Sequence, residues 1–428
     1  MTKATTKKKL TRGEKIILVA PLFVLLMFGL LQLKNLWLAR FPRTFNSPGG
    51  KFLLLRISPD GQHIVATNES EILPASTVTS WDIASGERLW SFSSNAPVAG
   101  VDFSSDGQAF SVVFTSWQGA ACDLEKHDMR TGRLLWTAHS ARAFDAGIFS
   151  PDGRSIVTQG ASVAVYDALT GALRHTVPTS CKTAGQWLRF APDGSTFMML
   201  KAPPGQSLKP SPAVVEFWDS RTGKRQNILP TVDTTWADLR AKTDEVVLLG
   251  CPQEGRTKSV LTHDETQPRG LTQIWNYKTG HLVRTLPGVE TVSSVTARSC
   301  LSKDGRFLFR LKKIAPDTSQ PDTSQQAEML DLQTGKMVWT RLVENEPFWC
   351  RFSPDGLFVG SSDFPTGTTS GVVRLWDAKS GVQLKTFGTN SAWLPTDFTE
   401  DSHYLAFIDD RRIHLWDLFQ YSKQHASG

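Results

Sequence analysis

Hydrophobic positions along the chain follow two regimes. Ile16 to Leu33 reads IILVAPLFVLLMFGLLQL, eighteen positions without a charge. As a helix this run covers about 27 Å, close to a hydrocarbon core of about 30 Å. Beyond it the apolar residues come in short alternating runs, such as Val163-Ala164-Val165-Tyr166 and Val372-Val373-Arg374-Leu375-Trp376. Period-two alternation is the pattern of half-buried strands.

Two turn signatures punctuate these strands. The first is SPDG at Ser58–Gly61 and Ser150–Gly153, SSDG at Ser104–Gly107 and APDG at Ala191–Gly194. It degenerates to AKTD at Ala241–Asp244, returns as SKDG at Ser302–Gly305 and SPDG at Ser353–Gly356, and ends as TEDS at Thr399–Ser402. Pro presets φ, Asp bonds back to nearby amides and Gly accepts positive φ, so each marks a tight hairpin. The second closes a strand with an aromatic-Asp pair or a variant of it. It occurs at Trp81-Asp82, His127-Asp128, Tyr166-Asp167, Trp218-Asp219, Trp275-Asn276, Leu330-Asp331, Trp376-Asp377 and Trp416-Asp417. In the first seven units a Gly follows the Asp or Asn by four residues. Each unit therefore reads strand a, turn, strand b, variable loop, strand c, Thr-Gly-type turn, strand d.

Eight such units with a period of 41 to 60 residues predict an all-β, eight-bladed β-propeller preceded by one N-terminal transmembrane helix, with seven blades as the alternative. The units resemble WD repeats over nearly all of residues 44–428. They lack the Gly-His pair that many such repeats carry before strand a, so the network built on that His is not carried over. Trp90, Trp136 and Trp339 stand four residues after the turn Gly, a placement similar to the repeats of bacterial quinoprotein-type propellers. The ring is expected to close with a strand from residues 44–50 or from Leu418–Ser422.

Charge refines the organisation. Residues 1–43 hold nine Lys/Arg against Glu14 and so account for the formal charge of +6; the remainder is slightly acidic. That removes the electrostatic basis for nucleic-acid binding. The bulky Leu36, Trp37 and Leu38 after the apolar run disfavour a signal-peptidase site, so an uncleaved signal-anchor is expected, with the rival reading a cleaved leader. The expected order is a basic cytoplasmic tail (1–15), a membrane anchor (16–38), a linker (39–50) and the propeller (51–428), placed outside the cytoplasm, in the periplasm, by the excess of basic residues before the span. A cytoplasmic-facing propeller is the alternative orientation. The five cysteines show no C-x-x-C spacing. Cys300 and Cys350 take similar places in successive units, but buried packing is the expected role.

Candidate function sits on the face carrying the b–c and d–a loops, where Ala202–Pro212, Pro252–Gly270 and the tandem PDTSQ of Pro316–Gln325 (Pro316, Asp317 and Gln325 among them) are inserted. Trp187, Trp236, Trp349 and Trp393 lie near the start of strand a and are candidate contact residues, with interblade packing as the other reading. Four residues before the turn Asp stand Arg56, Asp102, Ile148, Arg189, Arg240, Cys300, Arg351 and Asp397. The charged six form a candidate channel ring, tolerant of anions or internally paired. No nucleophile elbow, phosphate loop or metal-spaced His pair is present. Quinoprotein dehydrogenases carry a quinone and calcium and, in several, adjacent cysteines; no Cys-Cys pair exists here, and no cofactor is expected. The expected function is a non-enzymatic scaffold for an unidentified protein or peptide partner. The alternative is an enzyme or small-ligand propeller with its site at the channel mouth.

Overall fold

A computed structural model of the chain describes residues 43–69, 76–115, 121–141, 144, 146–159, 163–177, 187–201, 214–229, 234, 236–240, 243–251, 271–286, 299–313, 325–343, 347–363, 370–390, 396–419 and 421. The tail (1–15) and anchor (16–38) fall outside these residues. Among the described residues no helix is long and apolar enough to cross a membrane.

The turn chemistry sets the strands. Ser58 Oγ donates to Asp60 Oδ1 (2.5 Å), Asp60 Oδ1 accepts the Gln62 amide (3.0 Å), and Gly61 sits at φ +69°. This reverses the chain between β2 (Lys51–Ile57) and β3 (His63–Glu69), which pair antiparallel. The second signature works the same way: Asp128 Oδ1 accepts both the amide (2.8 Å) and the hydroxyl (2.6 Å) of Thr131, and Gly132 adopts φ +68°. Such an Asx turn joins β4 (Ser76–Asp82) to β5 (Arg88–Ser94), completing the first blade. A register shift falls just before the pair's aromatic position in each of blades 1 to 7. The bulge adds local twist where the strand meets its turn.

The described strands form eight four-stranded sheets, the number of repeat units counted in the sequence. Seven are contiguous. The eighth combines β30 (Thr396–Phe398), β31 (Tyr404–Asp409) and β32 (Arg412–Asp417) with β1 (Arg43–Asn46), from the start of the described chain. This resolves the two closing options in favour of the N-terminal one and places a strand inside the stretch read as a linker. Ser47 N–H donates to Arg411 O (2.9 Å) and Phe52 N–H to Asp410 O (2.9 Å), while Leu418 packs between blades 7 and 8 instead. Closure covers an edge that would otherwise offer unpaired backbone groups.

The core lies between blades. Each of eight buried clusters joins two neighbouring sheets; one holds Phe52 and Trp81 of the first blade against Phe45, Ile408, Ile413 and Leu415 of the eighth. Trp81 meets Phe45 and Phe52 at ring-centre distances of 6.0 and 5.8 Å. Trp218 and Trp376 are likewise buried, so the Trp of the repeat fills wedges between sheets.

Candidate functional site: channel wall and loop face

The first strand of each sheet is innermost. Besides β2 and β30 these are β6 (Val98–Phe103), β10 (Ala146–Phe149), β14 (Trp187–Phe190), β18 (Trp236–Leu239), β22 (Ser299–Leu301) and β26 (Pro347–Phe352), and β2 touches both β6 and β30. The backbone pattern corrects the ring in blade 5. In the other blades the residue opening the turn bonds its N–H to the carbonyl five positions on, as Ser58 does to His63. In blade 5 that residue is Arg240, bonded to Glu245 O. Counted back from this opener, the channel position falls two residues earlier than the Asp in AKTD suggested. Arg240 leaves the ring, pairs with Glu245 and donates from Nε to Gly305 O (2.8 Å). Asp238 takes its place.

The wall thus carries Arg56, Asp102, Ile148, Arg189, Asp238, Cys300, Arg351 and Asp397 at one level, three cations and three carboxylates. They are substantially matched. Arg351 donates to Asp397 Oδ1 (2.6 Å), Arg189 lies 3.7 Å from Asp238, and Arg56 faces Asp102 electrostatically. Asp102 and Asp397 also accept the amides of Phe149 (2.9 Å) and Ile57 (3.1 Å) in the next blade. Burial raises the Asp102 and Asp238 carboxyls above the ordinary range, with the guanidiniums pulling the other way. On the a–b turn face, Lys303 of blade 6 bonds Glu400 of blade 8, spanning the turn of blade 7.

Asp167 shows the opposite electrostatics. The Thr170 amide first, then Arg174, holds its carboxyl down at about 2. A carboxyl depressed in this way stabilises the fold above its unfolded value of 3.8 and loses that contribution as pH falls towards 2. Asp82, Asp219, Asp377 and Asp417 also accept amides within their own C-terminal turns, which assigns the pair acids to turn geometry.

The Trp cluster divides. Trp236 is buried (6% exposed) among Val247, Leu249, Leu308 and Leu330 between blades 5 and 6, so it offers no contact surface. Trp349 is half-buried on β26. Trp187 starts β14, with its side chain outside the described residues, as are Trp393, Pro316 and Asp317; Gln325 opens β24 (Gln325–Asp331). Trp275 sends its indole N–H to Gln273 (3.0 Å). Trp416 lies under the Lys385 ammonium, 5.4 Å from the ring centre.

A recurring hook escaped sequence reasoning. Trp90, Trp136 and Trp339 donate their indole N–H groups to Met129 O (2.7 Å), Ala168 O (3.3 Å) and Ala378 O (2.8 Å), each in the following blade. The same register position holds His175, Asn227 and Arg284, which bond Arg221 O (2.5 Å), Tyr277 O (2.8 Å) and Gln333 O (2.7 Å). The signal was present, since all six stand four residues after the turn Gly, but only the three Trp stand out as a repeated residue type there.

The opposite face is uneven. Strands b and c are separated by three residues in blade 3, 160–162, but by 202–213, 252–270 and 314–324 in blades 4, 5 and 6. The described strands flanking these gaps end on the side away from the a–b turns, because strands alternate direction.

No family model matches the chain. A segment of 68 residues is 37% identical to pre-mRNA-processing factor 19 homolog 2 of Arabidopsis thaliana, covering 16% of this chain and 12% of that protein. Among solved structures, BamB from Moraxella catarrhalis matches with TM-score 0.55 and 13% identity, over 88% of this chain and 98% of that one. The Dos1 propeller matches with TM-score 0.59 and 11% identity, over 88% and 95%. At these identities the likeness shows the fold alone, a β-propeller, in agreement with the eight four-stranded sheets described above.

Proposed function

We propose that this chain is a membrane-tethered, non-enzymatic scaffold that binds a protein or peptide through the loop face of blades 4 to 6. The observation that carries the reading is the run of three long b–c connections on consecutive blades of one face, against regular turns on the other. A closed ring holds such segments at fixed spacing, and grafting recognition onto loops of a rigid frame is a common use of repeat folds. The matching of charges along the channel wall argues for packing there rather than ligand capture. The apolar run at Ile16–Leu33 supports tethering, and the basic residues before it support a cytoplasmic N-terminus with the propeller outside the cytoplasm. Co-purification from detergent-solubilised membranes tests the reading. Deleting 316–324, which leaves β24 whole, is expected to lower partner recovery about tenfold or more. Undiminished recovery with this deletion and with matching ones in 202–213 and 252–270 contradicts it.

A further inference from the structure

Cys300 and Cys350 stand on touching innermost strands, β22 and β26, where blade 6 meets blade 7. Both are free, both are buried, and they share one cluster with Phe309, Phe352 and Val359. Their positions follow from the repeat. Side chains two residues before the turn opener reach towards the next blade, as Asp102 does to Phe149 N–H and Arg351 to Asp397. Cys300 holds that position before Ser302. Cys350 lies three residues before Ser353, on the side of its strand that meets blade 6. The two side chains pack in this one cluster, and Asp238 and Arg351 are among the charges that act on Cys300. Burial first, then the contact with Cys350, keeps the Cys300 thiol well above its usual range. Burial shields both side chains from chance oxidation.

We propose that Cys300 and Cys350 form a reversible disulfide that staples blade 6 to blade 7 at the channel wall, with a small disulfide or a thiol–disulfide oxidoreductase as oxidant. The Cys350 thiolate attacks one sulfur of the oxidant's disulfide, forming a mixed disulfide and expelling one thiolate. The Cys300 thiolate then attacks the Cys350 sulfur, closing the bridge and expelling the second thiolate. Two protons pass from the protein thiols to the two leaving thiolates, so two cysteines are oxidised as one external disulfide is reduced. The bridge encloses the chain from β22 to β26, including the three remaining strands of blade 6. Its stabilisation therefore bears on the opening of the blade 6–7 boundary. The inference is independent of the scaffold role.

The test uses the full chain in detergent, equilibrated through a mild denaturation–renaturation cycle in glutathione buffer rich in the disulfide form. Alkylation and peptide mapping are expected to show a peptide linked through Cys300 and Cys350 that is lost after dithiothreitol. Oxidation is expected to raise the thermal midpoint by about 3 °C or more. That rise should disappear in Cys300→Ala and Cys350→Ala and persist in Cys122→Ala, a buried cysteine in another blade. Full alkylation of both residues in the oxidising buffer, or linkage of either to another cysteine, overturns the proposal. Should the Ala variants not fold, the peptide map of the unaltered chain decides alone.

Discussion

Gly381→Ala is expected to cost about 3 kcal/mol or more in urea unfolding, against about 1–2 kcal/mol for Gly356→Ala. Both glycines adopt a left-handed conformation, at φ +68° and +75°, so both substitutions carry the conformational penalty of an L-residue. Only at Gly381 does the added methyl meet something. A Cβ there would come within 3.0 Å of the Trp339 ring, whose indole N–H donates to Ala378 O. Nothing stands within 4 Å of a Cβ at Gly356. The excess at Gly381 therefore measures the interblade hook, free of the general cost of turn glycines. Combining Gly381→Ala with Trp339→Ala is expected to cost less than the sum of the two, since each removes the same contact. Equal costs at the two glycines would mean that the hook contributes nothing.

Arg310→Met is expected to destabilise the fold by about 3–5 kcal/mol, with most of that loss recovered in Arg310→Met/Glu328→Met. Arg310 lies on β23 (Phe307–Lys313) opposite Glu328 on β24. The guanidinium donates to Glu328 (2.9 Å) and to Thr272 (3.0 Å) of blade 5, and both charged side chains are below a tenth exposed. Burial pulls the Arg310 pKa down from its ordinary range, with Glu328 resisting. Removing the cation alone strands a carboxylate in an apolar wedge, whereas removing both charges leaves Thr272 as the main loss. Urea midpoints for the two single variants and the double variant decide. A double variant no better than Arg310→Met would show that packing of the long side chains, not charge, dominates at this site.

The legible part of this fold is the part made by local chemistry. Ser-Pro-Asp-Gly and Asp-x-x-x-Gly are strong turn formers, and their repetition imposed eight a–b hairpins and seven c–d hairpins. Where local chemistry thinned out, the reading slipped. The blade 5 turn has neither Ser nor Gly to mark it, so the Asp of AKTD led to Arg240 when the hydrogen bonds select Asp238 for the channel wall. Closure was undecidable because β1 is only four residues long with one buried side chain, Phe45. Its place depends on the open edge of β32, hundreds of positions away. Trp236 was ambiguous for a related reason, since the atoms that bury it come partly from blade 6. The hooks of His175, Asn227 and Arg284 were missed because their identity varies while the backbone acceptor in the next blade does not.

The scaffold account stands on the difference between the two faces of the ring. Photo-crosslinking residues introduced one at a time into 202–213, 252–270 and 314–324, and at Pro59, Ser105 and Pro151 in the exposed a–b turns, compare those faces directly in native membranes. The account predicts that a discrete partner is captured from the three connections of blades 4 to 6 and not from the turns. Capture from the turn positions alone, or equally from both faces, would contradict it.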